Sequence, residues 1–215
     1  MTAADSAAAV IVFARAPRPG LVKTRLVPLL GAVDAAALHA RFVQRTLETA
    51  RAASLHPIEL HCAPDASDPF FQFCAGHYGV GVRAQVEGNL GERMHAAFEK
   101  GLAAHDRVLL VGTDCPALTA DHLRRAEEAL RGGTDAVFVP CEDGGYALIG
   151  LRRTDGRLFE EIAWGSDSVM AATRARLTAL GWRWQELDTL WDVDRPEDYQ
   201  RLMDSGLLDA CRATT

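Results

Sequence analysis

Residues 10–26, VIVFARAPRPGLVKTRL, constrain this chain more than any other stretch. Val10, Ile11, Val12 and Phe13 form a short unbroken apolar run, as expected of a strand buried on both faces of a parallel sheet. Pro17, Pro19 and Gly20 then break the chain, and in open α/β sheets ligands sit outside that carboxyl edge. Gly20 lets backbone approach a ligand closely. Lys23 supplies a point charge and Arg25 a planar fork for two oxygens. The loop therefore reads as a phosphate cradle, with Ala14 and Pro17 at its start. It carries neither Walker A spacing nor GxGxxG, and a merely solvated surface loop is the plain alternative.

Downstream, residues 33–54 predict an amphipathic helix with Leu38, Phe42 and Leu47 near one face. Residues 58–62 and 81–86 read as strands around a helix at 70–78, and Gly88-Asn89-Leu90-Gly91 opens a helix through Leu102. RVLLVG (107–112) is a second buried strand; Thr119 caps the next helix, which stops at Gly132-Gly133. Residues 136–140 and 146–151 are strands joined by the turn Glu142-Asp143-Gly144-Gly145. Ser166 or Ser168 caps a helix ending at Gly181, followed by a strand over 182–188 and a helix over 196–203.

Strands alternating with helices indicate a mainly parallel sheet covered on both faces, a Rossmann-like three-layer α/β/α sandwich. The pair flanking Gly144-Gly145 is too close for a helical crossover, so the sheet is expected to be mixed, with at least one antiparallel strand. The 215 residues fit one domain spanning 1–215.

A net charge of −6 argues against a nucleic-acid partner, which would need a basic face. The N-terminal residues have no basic segment and only a short apolar stretch, so neither a signal peptide nor a membrane span is expected and the reading is cytoplasmic. Cys62, Cys74, Cys115, Cys141 and Cys211 form no CxxC pair and leave an odd one over, which reads as reduced thiols. Cys115 and Cys141 fall in site loops, where a reactive thiol is the alternative to a buried one. The histidines show no zinc spacing.

The strand RVLLVG ends at Thr113-Asp114-Cys115-Pro116, at the same edge as the phosphate loop. A carboxylate among phosphates suits Mg²⁺, which takes one or two carboxylates together with phosphate oxygens and water; otherwise Asp114 is a turn residue. The second acid is expected in WDVDRPED. There Asp194, three residues before Glu197, serves either as a metal ligand or as the cap of the last helix. Gly88, Gly91 and Arg93 mark a helix start suited to an anion or a polar base edge. Asp143, Gly144, Gly145 and Tyr146 offer acceptors and open backbone for substrate hydroxyls, unless they form only a hairpin turn. The segment from Trp164 to Asp167 is a candidate acceptor-side loop.

Together APRPGLVKTRL, GNLGER, VGTDCP, EDGGYALIGL and WDVDRPEDY, in order along nearly the whole chain, resemble a family of small bacterial glycosyltransferase-A-like proteins. That family is similar to nucleotide-diphospho-sugar transferases, includes candidate glycosyltransferases of arsenosugar biosynthesis, and is distantly similar to phospholactate and molybdenum cofactor guanylyltransferases. The resemblance implies that Gly20, Lys23 and Arg25 form the nucleotide-phosphate loop, that Asp114 holds a divalent metal, Mg²⁺ or Mn²⁺, and that Asp194 is the late metal-site aspartate. It implies that Gly91 and Arg93 lie near the nucleotide base. The Pro-Lys pair that sugar-nucleotide pyrophosphorylases carry after the arginine loop is missing from LVPLLGAVDAAALHA.

These readings lead to a metal-dependent glycosyltransferase that uses a nucleotide-diphosphate sugar and a small-molecule acceptor. In it Lys23, Arg25, Asp114 and Asp143 carry the chemistry, with Thr113 beside the nucleotide. The alternatives are a nucleotidyltransferase releasing pyrophosphate and a non-catalytic nucleotide-sugar sensor.

Overall fold

The apolar run becomes β1 (Ala9–Arg15), buried through Ala14, in a computed structural model that describes residues 8–207. Six further strands join it: β2 (Ile58–Ala63), β3 (Gly81–Ala84), β4 (Val108–Val111), β5 (Ala136–Pro140), β6 (Tyr146–Leu151) and β7 (Trp184–Glu186). Their order in the single sheet is β3-β2-β1-β4-β6-β5-β7. β6 runs antiparallel to both neighbours and every other pairing is parallel, so the short Gly144-Gly145 turn produces the mixed sheet expected of it.

The helices are α1 (Val27–Leu30), α2 (Ala32–Ala52), α3 (Pro69–Tyr78), α4 (Leu90–Leu102), α5 (Ala120–Arg131), α6 (Val169–Leu180) and α7 (Pro196–Ser205), with 3-10 turns at Thr24–Leu26 and Gly156–Leu158. Alternate residues along the strands feed two cores. On one face Val10, Val12, Leu60, Leu109 and Val111 pack under Val43 and Leu47 of α2, Phe71 of α3 and Leu123 of α5. On the other, Ile11, Phe13, Leu110, Phe138 and Ile149 meet Met94 and Phe98 of α4 and Met170 and Leu177 of α6. Phe71, Phe98 and Phe138 are fully buried, each stabilising the fold by roughly 1.5–3 kcal/mol. A third cluster, Leu26, Leu38, Phe42, Val193 and Leu202, ties the end of the phosphate loop to α2 and α7.

The chain places β2 and then β3 on one side of β1, and β4 on the other. The crevice between the carboxyl ends of β1 and β4 is thus the switch point at which open α/β sheets bind ligands.

Helix limits agree with the pattern to within a residue or two, with one addition and one departure at a cap. The four-residue α1 is too short to leave a periodic signature, and α6 begins after Ser168, whose side chain makes no cap. Thr119 does cap α5, accepting from the His122 amide. No helix among the described residues is long and apolar enough to cross a membrane. Four cysteines are free and buried. Burial pushes the Cys62 thiol up to about 12 and that of Cys74 to about 11. A hydrogen bond with Cys115, then burial, raises that of Cys141. Such thiols stay protonated, so the reactive alternative for Cys141 is not supported. Cys211 lies outside the described residues.

Candidate nucleotide and metal site

Three distant stretches converge on the crevice. The phosphate loop leaves β1 and is tied down twice: the Ala16 amide donates to the Ala63 carbonyl at 2.8 Å, and Arg18 donates to Asp68 at the start of α3. Gly20 takes φ +76° with open space where a Cβ would stand, so its role is conformational freedom at an exposed turn. After β4, Thr113 is buried and Asp114 follows it. The third stretch runs back from β7. Leu190 pairs with Cys141 at the end of β5, and the Val193 amide donates to the Asp114 carbonyl at 2.9 Å. Asp192 and Asp194 are thereby carried to the edge where the other two loops end.

Lys23 is the hub. Its backbone is left-handed, φ 47°, an uncommon state for a residue with a side chain, and its side chain is only 3% exposed. The ammonium lies 2.5 Å from Asp114 Oδ1, donates to the Val193 carbonyl at 2.7 Å, stands 4.0 Å from Asp194 Oδ1 and sits over the Phe42 ring. Arg25, whose side chain is 62% exposed, pairs with Asp194. Lys23 and Arg25 are therefore unlike: Lys23 anchors carboxylates from within, while Arg25 faces outward.

Asp114 is 54% exposed despite this clamp. Desolvation pushes its carboxyl up, but the Lys23 ammonium and His39 pull it down further, leaving its pKa below the usual carboxylate value. Asp194 does not cap the last helix. That task falls to Asp198, whose carboxylate accepts from the amides of Asp194 and Arg195. Neither does Glu197 complete a box with Asp194, and the Asp194 side chain is left to Lys23 and Arg25.

Asp114 and Asp194 present hard oxygens around one ammonium, the donor chemistry that suits Mg²⁺ or Mn²⁺. Among the described residues no three His, Cys, Asp or Glu side chains gather into a complete metal site. Phosphate oxygens and water would have to supply the remaining ligands, which is the usual arrangement for Mg²⁺. The residues fit a cation that arrives with a phosphorylated ligand.

The opposite wall is built from the segment after β3. The Gln85 side chain donates to the carbonyls of Ala14 and His61 and accepts from Arg93. Burial, then the charge of Arg15, lowers the Arg93 pKa. Asn89 and Glu92 form a capping box at the start of α4. Gly91 is forced: a Cβ there would lie 2.7 Å from both the Phe159 carbonyl and Trp164 Nε1. Gly91 and Trp164, separated by more than seventy residues, are thus in contact.

On the acceptor side both acids of the turn are exposed, and Glu142 is paired with Arg201. Asp143 accepts from the Gly145 amide at 2.9 Å. Gly144, φ +88°, admits the Asp167 backbone where a Cβ would stand, and its carbonyl accepts from the Met170 amide, so the turn braces the 163–168 loop. Tyr146 faces inward, its ring against Phe138; burial raises its hydroxyl pKa against a hydrogen bond to Thr173. Asp192 is pushed up to about 6, by burial and then by Asp143.

Sequence reasoning missed five participants, Arg15 at the end of β1 among them. Gln85 and Asp198 carry no motif of their own. His39 reads as one more residue on the buried face of a helix, yet its side chain lies 3.9 Å from Asp114 Oδ1, and burial lowers its pKa. Asp192 differs from Asp194 only in its surroundings.

A family profile described as "Uncharacterized protein conserved in bacteria (DUF2064)" matches residues 46–166, more than half of the chain. The chain belongs to the DUF2064 family. This DUF2064 protein is similar, at 32% identity and TM-score 0.84, to a candidate nucleotide-diphospho-sugar transferase from Desulfovibrio desulfuricans G20. The match covers 94% of this chain and 88% of that one. It shares its fold with a nucleotidyl transferase from Methanothermobacter thermautotrophicus, at TM-score 0.59 and 16% identity over 95% and 99% of the two chains. It also shares it with glucosyl-3-phosphoglycerate synthase from Mycobacterium tuberculosis, a structure holding Mn²⁺, UDP and glucosyl-3-phosphoglycerate. That match has TM-score 0.53 and 12% identity over 94% and 77%. These structural neighbours are transferases. No curated protein matches the sequence.

Proposed function

We infer that this DUF2064 protein is a metal-dependent glycosyltransferase that takes a sugar from a nucleotide-diphosphate donor and gives it to a small-molecule acceptor. The observation that carries the reading is the half-exposed Asp114 held by the buried Lys23 at the β1/β4 crevice, with Asp194 beside it. The 32% identity to the Desulfovibrio protein supports a nucleotide-sugar donor.

Asp114 and Asp194 would hold Mg²⁺ or Mn²⁺, which when bound neutralises the diphosphate leaving group. Electrostatic stabilisation of that charge is the main catalytic contribution expected of the site. Arg25 supplies an exposed cation, and Lys23 keeps Asp114 ionised and aimed. Arg15 and Arg93 attract the phosphates, with Ala14, Pro17, Gly20 and Thr113 shaping the loop around them. Gly91 and Trp164 form one wall. Asp143, with Gly144 and Gly145 of its turn, orients the acceptor hydroxyl, and Asp143 or its neighbour Asp192 takes the proton. Tyr146 supports the turn from the core.

Nucleotidyl transfer is the second reading, favoured by the further positive charge of Arg15 and Arg93, which act on each other electrostatically. Product analysis by ³¹P NMR with nucleotide-sugar and nucleoside-triphosphate panels separates the two. Glycosyl transfer releases a nucleoside diphosphate, whereas nucleotidyl transfer releases pyrophosphate; pyrophosphate release from triphosphates alone would replace the first reading with the second.

A further inference from the structure

One side chain of the crevice is left unused by this account. His39 projects from α2 with 6% of its side chain exposed, and its Nε2 lies 3.1 Å from the Arg15 carbonyl. A carbonyl oxygen only accepts, so Nε2 carries the proton and Nδ1 of the neutral ring is an acceptor. That Nδ1 is buried with no hydrogen-bond partner, and it faces Asp114 Oδ1 at 3.9 Å. A buried acceptor turned toward the oxygen of a half-exposed carboxylate is repelled by it unless a positive group stands near both, and a buried polar atom without a partner calls for an explanation.

The separation restricts what that group can be. Donors to a small divalent ion stand about 2.1 Å from it, so two donors to one ion are at most about 4.2 Å apart. The observed 3.9 Å falls inside that limit. Lys23 already brings a positive charge to the same carboxylate oxygen, at 2.5 Å. The ring nitrogen of His39, by contrast, has no such partner. A ring fixed through its other nitrogen by a backbone carbonyl is also how metal-ligating histidines are commonly oriented.

We propose that His39 donates Nδ1 to the divalent cation held by Asp114, making the seat a mixed nitrogen–oxygen one that favours Mn²⁺ over Mg²⁺, an ion that takes oxygen ligands. This inference rests on the cation reading of Asp114 given above.

Pulsed EPR of Mn²⁺ added to the full, tag-free chain, alone and with UDP, tests it without an activity assay. The expected spectrum contains ¹⁴N couplings that become ¹⁵N couplings when the protein is labelled at histidine. His39→Gln should abolish them and weaken Mn²⁺ about tenfold or more, with a smaller effect on Mg²⁺; His39→Asn is the second variant, and the labelling needs neither. Mn²⁺ binding that depends on Asp114 but shows no nitrogen coupling overturns the role of His39 and leaves the carboxylate site standing. Mn²⁺ binding that is absent, or that survives Asp114→Asn, overturns the cation reading and the role of His39 with it.

Discussion

The ammonium of Lys23 lies 2.5 Å from Asp114 Oδ1 on a side chain that is only 3% exposed. This buried contact joins the loop after β1 to the loop after β4, and through the Val193 carbonyl it also fastens the segment that carries Asp194. The lysine of the phosphate loop is therefore an internal tie, and the ligand-facing charge of the loop belongs to Arg25.

Lys23→Met is expected to destabilise the fold. It leaves the buried Val193 carbonyl without its donor and Asp114 without its partner, a loss of about 1–3 kcal/mol. Arg25→Met removes an exposed pair worth at most about 1 kcal/mol, so it should weaken nucleotide binding with little change in stability. Urea unfolding and nucleotide titration of both variants check the contrast, and equal stability losses would refute the division of labour.

Asp194→Asn is expected to impair metal-dependent donor binding while leaving α7 capped. Asp198→Ala should do the reverse, costing about 1 kcal/mol as a lost cap with donor binding largely kept. Thermal unfolding with and without Mn²⁺ and donor reads both effects. If Asp198→Ala removed metal dependence and Asp194→Asn did not, the roles would have to be exchanged.

Much of this was legible in the sequence because it is local. The VIVF run, the proline-glycine break after it and the short turn at Gly144-Gly145 each dictate their own structure, and they produce β1, its loop and the antiparallel β6. What escaped depends on distant partners. A lysine ordinarily sits in water, and only Asp114, Val193 and Phe42, brought in from other elements, bury Lys23. Spacing offers Asp194, three residues before Glu197, as the cap, whereas the amides of Asp194 and Arg195 are taken by Asp198 one residue further on. Gly91 gives no hint that Trp164 stands against it. Tyr146, grouped by sequence with its polar neighbours, follows the alternation of β6 into the core instead.

Gly91→Ala should cost about 1–3 kcal/mol, because the added methyl meets a backbone carbonyl and an indole that cannot both give way. The displaced 159–164 segment should lower acceptor use as well. Combining the change with Trp164→Ala is expected to recover part of the stability, not all, since the Phe159 carbonyl remains. Full additivity of the two changes in unfolding experiments would mean that the contact is not energetically real.

Acid should weaken the fold through its buried histidines. Burial lowers the pKa of His61, against a hydrogen bond that its ring donates to Glu59, and burial likewise lowers that of His39. The unfolded chain takes up these protons near 6.5, while the folded chain resists them until lower pH. Stability from this source is therefore fully present above about 6.5 and falls as the pH drops through the folded values. Urea midpoints at pH 7.5 and 5.5 should differ less for His61→Gln than for the parent; an unchanged difference would remove His61 from the explanation.

Isothermal titration of nucleotide-diphosphate sugars into the protein, with and without Mn²⁺ and with Asp114→Asn as control, tests the central claim most directly. At 100 times the dissociation constant a specific donor should also add about 2.7 kcal/mol to stability. One donor class should bind only with the metal and lose that dependence in Asp114→Asn. Binding that ignores both the metal and Asp114 would contradict the claim.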